Sequence, residues 1–370
     1  MRLSTLSLTN FKNIARAELP FSAKLNCFVG NNGMGKSNIL DAIYYLSFCK
    51  SFTGVNDPLL IKRGESFALV KGRYERRGVD EELSVGLGGR RKSFRRGDKE
   101  YKRLSAHIGA FPAVLVSPSD MTLAAGSSEE RRRFLDMLIS QGDARYLDAL
   151  IKYGRSLEQR NHMLRDGIDD PTLFDAVETA MDAAARYIVA GRRSQVERLA
   201  GIHSRYYRAI GGEASEETGL FYRTNLDDDP EGSLKNMLDR VRDRDRILRF
   251  TSVGPHRDDL DMTLDTMPLR RTASQGQVKT FTIALRLAQY ELLAGQSDIK
   301  PLLLLDDIFD KLDADRVENI INVVASDTFG QIFITDTNRK HLDEILARVQ
   351  SSAPSRLWTV TNGSPEPTEL

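Results

Sequence analysis

Residues 30–37 read GNNGMGKS, and no other stretch constrains this chain as tightly. The run fits G-x4-G-K-[ST], and its setting matters as much as its letters. Leu25, Cys27 and Val29 alternate before it, as a half-buried strand does, while Ile39, Leu40, Ile43, Tyr44 and Leu46 follow at helical spacing. Strand, glycine-rich turn and helix in that order point to an α/β fold gathered around the helix. The residue types suit phosphate. Gly30, Gly33 and Gly35 let the backbone close around it, and the N–H groups from Gly30 through Asn31, Asn32, Gly33, Met34 and Gly35 lead into a helix N-terminus that favours anions. Lys36 supplies a cation for the β- and γ-phosphates, and Ser37 a hydroxyl for Mg²⁺. Residues 30–37 are the expected ATP-binding residues.

Two later runs extend that reading. Residues 302–307 read LLLLDD, a short buried strand ending in two carboxylates. Asp306 is the expected second Mg²⁺ ligand, with Ser37, and Asp307 is placed to polarise an attacking water. Residues 274–277 read SQGQ just before a helical pattern from Val278 to about Leu293. Alone, the tetrapeptide reads as a helix cap at Ser274. Set about 30 residues before LLLLDD, it reads as a second anion-binding helix start. One P-loop needs no such helix, but two facing subunits do, so Ser274, Gln275, Gly276 and Gln277 are expected to cap the partner's ATP.

The chain has 370 residues and a formal charge of +1, with 41% apolar and 28% charged residues. This is ordinary for a soluble globular protein and excludes disordered and collagen-like chains. No apolar run reaches the ~18 residues of a membrane span, and the start MRLSTLSLTNF lacks the core of a signal peptide. Two cysteines, Cys27 and Cys49, build no disulfide framework and suit a reducing cytoplasm. A charge of +1 is low for a permanent DNA binder, so any DNA-binding surface must be local or assembled on demand.

The first 30 residues read as strands, and residues 66–100, rich in glycine, as β-hairpins. Residues 129–250 read as antiparallel helices, with a turn at DGIDDP (166–171). Leu260, Met262 and Leu264 alternate again, and QIFI (331–334) is another buried strand. The polar tail from Thr361, with two prolines, is expected to be disordered. The resulting division is a core lobe of residues 1–128 plus 251–370 around a helical lobe of residues 129–250.

The ordered set of motifs resembles the ABC-type ATPase heads of the SMC class, and within it the RecF family of recombination and repair proteins. The matching stretches are NFKN (10–13), GNNGMGKSNILDAIYYLS (30–47), KSF (50–52), SPSD (117–120), EERRRFLD (129–136), GPHRDDL (254–260), SQGQ (274–277) and LLLLDDIFDKLD (302–313). The resemblance implies an α/β P-loop head with mixed β-sheets around the P-loop helix, an inserted helical lobe and no long coiled coil. It implies an ATP-dependent homodimer that binds single- and double-stranded DNA at gaps and stalled forks, hydrolyses ATP slowly, and works with RecO and RecR to load RecA. Asp307 stands where SMC-class heads usually carry glutamate, one methylene longer. Of the usual SELD, only Leu312 and Asp313 carry over, which adds Asp313 to the residues facing the partner. Thr335 stands where many ABC proteins have a switch histidine, and can hydrogen-bond a γ-phosphate without carrying charge. SPSD falls where other heads have a glutamine loop, which makes Asp120 a candidate for the metal's outer shell. The rival is an ATPase subunit coupled to a membrane or other protein partner; a short helical insertion and a switch histidine, usual there, are not seen here.

Residues 90–103, RRKSFRRGDKEYKR, carry eight cations against two carboxylates, with Phe94 and Tyr101 between them. Arg90, Arg91, Lys92, Arg95, Arg96, Lys102 and Arg103 are the candidate DNA contacts, and a solvated hairpin face is the competing reading. Histidines and cysteines show no metal spacing, and GPHRDD has no assigned role beyond a turn that positions a strand.

Overall fold

The computed structural model describes the chain except residues 89–91, 213–214, 229–231, 311, 350–354 and 370. Strands β1 (Arg2–Phe11), β2 (Ile14–Pro20) and β3 (Leu25–Val29) lead into helix α1 (Lys36–Phe48). Strands β4 (Phe67–Arg76), β5 (Val79–Gly88), β6 (Ser93–Arg96), β7 (Lys99–Glu100) and β8 (Ala113–Val116) follow. Then come α2 (Met121–Ala125), α3 (Ser128–Gly142), α4 (Ala144–Arg165), α5 (Pro171–Gly211), β9 (Thr218–Arg223), α6 (Leu234–Leu248), β10 (Asp259–Leu264), β11 (Met267–Pro268) and α7 (Leu269–Thr272). The chain closes with α8 (Gln275–Gln296), β12 (Leu302–Asp306), α9 (Ala314–Ala325), β13 (Ile332–Asp336), α10 (Arg339–Arg348), β14 (Arg356–Thr361) and β15 (Ser364–Thr368).

The chain forms two compact units. One comprises Met1–Asp120, Arg205–Ser215 and Gln275–Leu370; the other comprises Met121–Ser204 and Glu216–Ser274. These limits differ from 129 and 251 for a local reason. Strand β10 pairs with β9 and β11 in a three-stranded sheet of the second unit, so residues 251–274 stay with the helices.

The first unit holds two six-stranded sheets. One, in the order β2-β1-β4-β5-β6-β7, is antiparallel. Its first strand explains an irregularity in the sequence: Leu3 and Leu6 are both buried although their spacing breaks strict alternation, because the register slips between Leu3 and Thr5. The other sheet runs β15-β14-β3-β13-β12-β8 and is parallel apart from β15. Strands buried on both faces read as continuous apolar runs, as LLLL and IFI do here. The carboxyl ends of β3 and β12 therefore carry the P-loop and the two aspartates to the same edge of this sheet.

The tail is ordered, contrary to the sequence expectation. Val360 and Trp358 are buried, and Asn362 and Gly363 have φ of 48° and 79°, which matches a type I′ turn joining β14 to β15. Polar composition misled because β15 is an edge strand, where Pro365 and Pro367 are tolerated.

The second unit is organised by buried ion pairs. Arg160 Nε donates to Glu178 at 2.8 Å, and its Nη1 donates to Asp245 at 2.7 Å and Thr251 at 3.0 Å, with all three charged side chains fully buried. Arg192 bonds Asp136, Asp258 and the Pro255 carbonyl. Arg131 grips Asp259 with two bonds, of 2.7 and 3.0 Å. GPHRDD is thus the knot at which α3, α5 and β10 meet. Its His256 lies between the Tyr153 hydroxyl and the Thr251 carbonyl, with its pKa pushed down to about 4 by burial. Among the described residues, no helix is long and apolar enough to cross a membrane.

Candidate nucleotide site

Between β3 and α1, Asn31, Asn32 and Gly33 are exposed while Gly35 and Lys36 are buried, which is an open loop closing onto a helix start. Gly35 precedes the helix at φ 107°, a conformation that side chains other than glycine's rarely adopt. The Lys36 ammonium turns into the loop and donates to the Gly30 carbonyl at 2.8 Å and the Asn31 carbonyl at 3.2 Å. It stands among the groups a phosphate would meet.

Ser37, in the first turn of α1, donates its hydroxyl to Asp306 Oδ1 at 2.7 Å. The Thr335 hydroxyl, at the end of β13, donates to the same oxygen at 2.7 Å. Thr335 also accepts the Asp307 N–H, at 3.1 Å on its hydroxyl and 3.2 Å on its carbonyl. One threonine therefore ties both aspartates to the neighbouring strand. Asp307 itself has φ 43°, which costs a non-glycine residue on the order of 1 kcal/mol and turns the chain sharply after β12. Burial raises the Asp306 pKa above the ordinary carboxylate value, opposed by the Ser37 and Thr335 bonds and by Lys36. Burial is also the main cause of the raised pKa of Asp307. A buried carboxylate beside a serine hydroxyl is a hard-oxygen pair, a donor set that suits Mg²⁺.

The remaining candidates fall elsewhere. Gln275, Gly276 and Gln277 form the first turn of α8; Ser274 and Gln275 are exposed, as residues facing a second molecule would be. Asp313 is exposed and caps α9, accepting the Arg316 N–H at 2.9 Å. Asp120 is held by Arg286 at 2.6 Å and accepts the Ser117 N–H, so its carboxylate is engaged in an internal ion pair.

The basic segment is only partly available. Lys92 bonds the Cys49 carbonyl at 2.7 Å, the Tyr45 hydroxyl at 3.0 Å and Asp57 at 2.9 Å. Arg96 is paired with Glu81 and stacks over Phe111. Arg95, Lys102 and Arg103 are exposed, while Arg90 and Arg91 lie outside the described residues. The interleaved aromatics are no stacking platform: Phe94 is buried, and with Tyr101 it packs on His107.

Sequence reasoning missed two supports. Asn13 donates to the Met34 carbonyl at 3.2 Å and accepts from Asn38 at 2.8 Å, bracing the P-loop from the β1–β2 turn. Asp41, buried on α1, pairs with Lys12 at 2.6 Å and accepts from the Ser51 hydroxyl and the Phe52 N–H. NFKN and KSF were the visible traces of both.

The family model for the RecF/RecN/SMC N terminal domain matches residues 2–353. A Parabacteroides distasonis protein named DNA replication and repair protein RecF is 48% identical over 370 residues, covering 100% of both chains. A Bacteroides thetaiotaomicron protein of the same name is 47% identical over 354 residues, 95% of each chain. The chain belongs to the RecF family. A solved structure of the recombination mediator RecF with ATP, described as part of the RecFOR pathway, superposes with a TM-score of 0.87 at 26% identity, covering 99% of this chain and 97% of that one. An Smc head from Pyrococcus furiosus, at 16% identity and a TM-score of 0.59, shares the fold. This RecF-family DNA replication and repair protein is accordingly an ABC-type ATPase head with a helical lobe.

Proposed function

We propose that the chain binds ATP and Mg²⁺ at residues 30–37 and Asp306, and that a second copy closes the site with Ser274, Gln275, Gly276, Gln277 and Asp313. The observation that carries this is the Asp306 carboxylate, buried at the sheet edge and met by the Ser37 and Thr335 hydroxyls beside Lys36. Mg²⁺, when bound, screens the phosphate charge and polarises the phosphoryl oxygens. Ser37 and Asp306 would hold it. Lys36 neutralises the phosphates, and Asp307 orients the water. The shorter aspartate fits slow hydrolysis, a switch rather than a motor. Asp307→Glu is expected to change turnover.

Nucleotide held by two copies at once favours the dimer by mass action. Nucleotide at ~100 times its Kd is worth ~2.7 kcal/mol per site. Two copies bring two sets of Arg95, Lys102 and Arg103 to one nucleic acid, which reconciles DNA binding with a net charge of +1. In the cytoplasm, with RecO and RecR, the ATP-bound dimer marks gaps and stalled forks and promotes RecA loading. Fluorescence anisotropy on a gapped duplex tests the reading. ATP with Mg²⁺ should strengthen binding, and Lys36→Ala should abolish the gain; binding that ignores nucleotide in both proteins refutes it.

A further inference from the structure

The C-terminal hairpin ends against the P-loop. Strand β14 runs parallel to β3, pairing Thr359 with Val29 where the loop begins. A Cβ on Gly30 would stand 2.4 Å from the Val360 carbonyl oxygen, so the two backbones touch at the loop's first residue. At the loop's far end the Gly363 N–H donates to the Met34 carbonyl at 2.8 Å, and the Asn362 N–H contacts Met34 Sδ at 3.3 Å. Asn13 Nδ2 gives that carbonyl a second bond, at 3.2 Å. Two donors from distant parts of the chain converge on one oxygen.

Peptide planarity gives this a consequence. In a trans peptide the C=O and the following N–H point in opposite directions. Holding the Met34 carbonyl toward Gly363 and Asn13 turns the Gly35 N–H away from them. We infer that the β14–β15 turn is a positioning element for the nucleotide loop: Gly363, with Asn13, fixes the Met34–Gly35 peptide and so orients the Gly35 N–H for phosphate. The hairpin lies beyond residue 353, where the family model ends. The inference rests on the ATP reading above, and its subject is the geometry of the loop.

Gly363 has φ 79°, and a Cβ there would lie 2.5 Å from the Asn13 carbonyl oxygen. Gly363→Ala therefore combines backbone strain with a clash that pushes the turn off the loop. Gly97 also has a left-handed φ, 55°, with nothing within 4 Å of an added Cβ. Gly97→Ala carries the strain without the clash and serves as the control. Both variants should lose thermal stability, Gly363→Ala the more, and binding is compared on the folded fraction of each. Titration with a fluorescent ATP analogue should give wild-type Kd for Gly97→Ala and a Kd raised about ten- to a hundredfold for Gly363→Ala, the weight of one hydrogen bond to a charged group, at unchanged stoichiometry. A purely structural role would lower the stoichiometry and leave Kd alone. Amide hydrogen exchange across residues 33–38 without nucleotide should accelerate in Gly363→Ala only, which tests the clamp even if the wild type proves not to bind ATP. Should Gly363→Ala fail to fold, Asn13→Ala removes the second donor and should raise both Kd and exchange. Wild-type Kd and exchange in Gly363→Ala, or in Asn13→Ala, would overturn the inference, as would equal weakening by Gly97→Ala.

Discussion

The helical unit and the P-loop edge of the other unit treat buried carboxylates in opposite ways. In the helical unit, Glu178, Asp245 and Asp258 each face a guanidinium. At the sheet edge of the other unit, Asp306 is equally sequestered, but its bonded partners are two hydroxyls. An arginine neutralises a buried carboxylate permanently and leaves it nothing to do but hold structure. Hydroxyls solvate it without cancelling its charge, so the site keeps an affinity for a cation. The difference separates a carboxylate that builds the protein from one that serves chemistry, although both are buried aspartates.

The comparison can be broken by exchanging the consequences. Arg160→Ala leaves Glu178 and Asp245 uncompensated and should cost about 3–5 kcal/mol in denaturant melts, with little change in nucleotide Kd of the folded fraction. Equal stability would show that the ion pairs are decoration. Asp306→Asn should reverse the pattern: ATP turnover falling about a hundredfold or more with thermal midpoint unchanged or raised, since a desolvated charge is removed. A large loss of stability there would make Asp306 a structural residue like the others.

His107 sharpens the point with a buried base that has no ion partner among the described residues. It packs among Phe94, Tyr101 and Phe111, bonds the Leu46 carbonyl at 2.7 Å, and has its pKa pushed down to about 4 by burial. The unfolded chain, titrating near 6.5, takes up this proton first. Its contribution to stability is complete above pH ~6.5 and should fall toward pH ~4 by at most about 1.4 kcal/mol per unit. Melts of His107→Phe should show a shallower acid slope than wild type; an identical slope would contradict this. The smallest effect is expected at the surface. Replacing Arg95, Lys102 and Arg103 with serine should weaken DNA binding modestly and flatten its salt dependence, while Lys92→Ser and Arg96→Ser should act through stability instead.

The candidate nucleotide site was legible because it is written locally. GNNGMGKS and LLLLDD each lie within one turn or strand, and the parallel sheet brings their ends together. Thr335 was singled out by the resemblance, at the end of a buried strand where many ABC proteins have a switch histidine. What escaped depends on partners remote in sequence. The composition of 90–103 is the same whether Lys92 points to solvent or to Cys49 and Asp57, and only the fold decides. GPHRDD read only as a turn that positions a strand, with no assigned role; in place, its aspartates are held by arginines of two helices. The hairpin was missed although Asn362-Gly363 is a strong turn signal between Val360 and the following strand, because the polar tail and two prolines outweighed it.

Those prolines shape how the protein meets copies of itself. Pro365 and Pro367 have no N–H, and the ladder to β14 needs the donors of their neighbours, so the missing hydrogens belong to the outer edge of β15. A strand arriving there would find acceptors without matching donors. The sheet that carries the candidate nucleotide loop therefore stops growing at β15, and intermolecular strand addition, the usual route from an open edge to aggregation, is closed beside that loop.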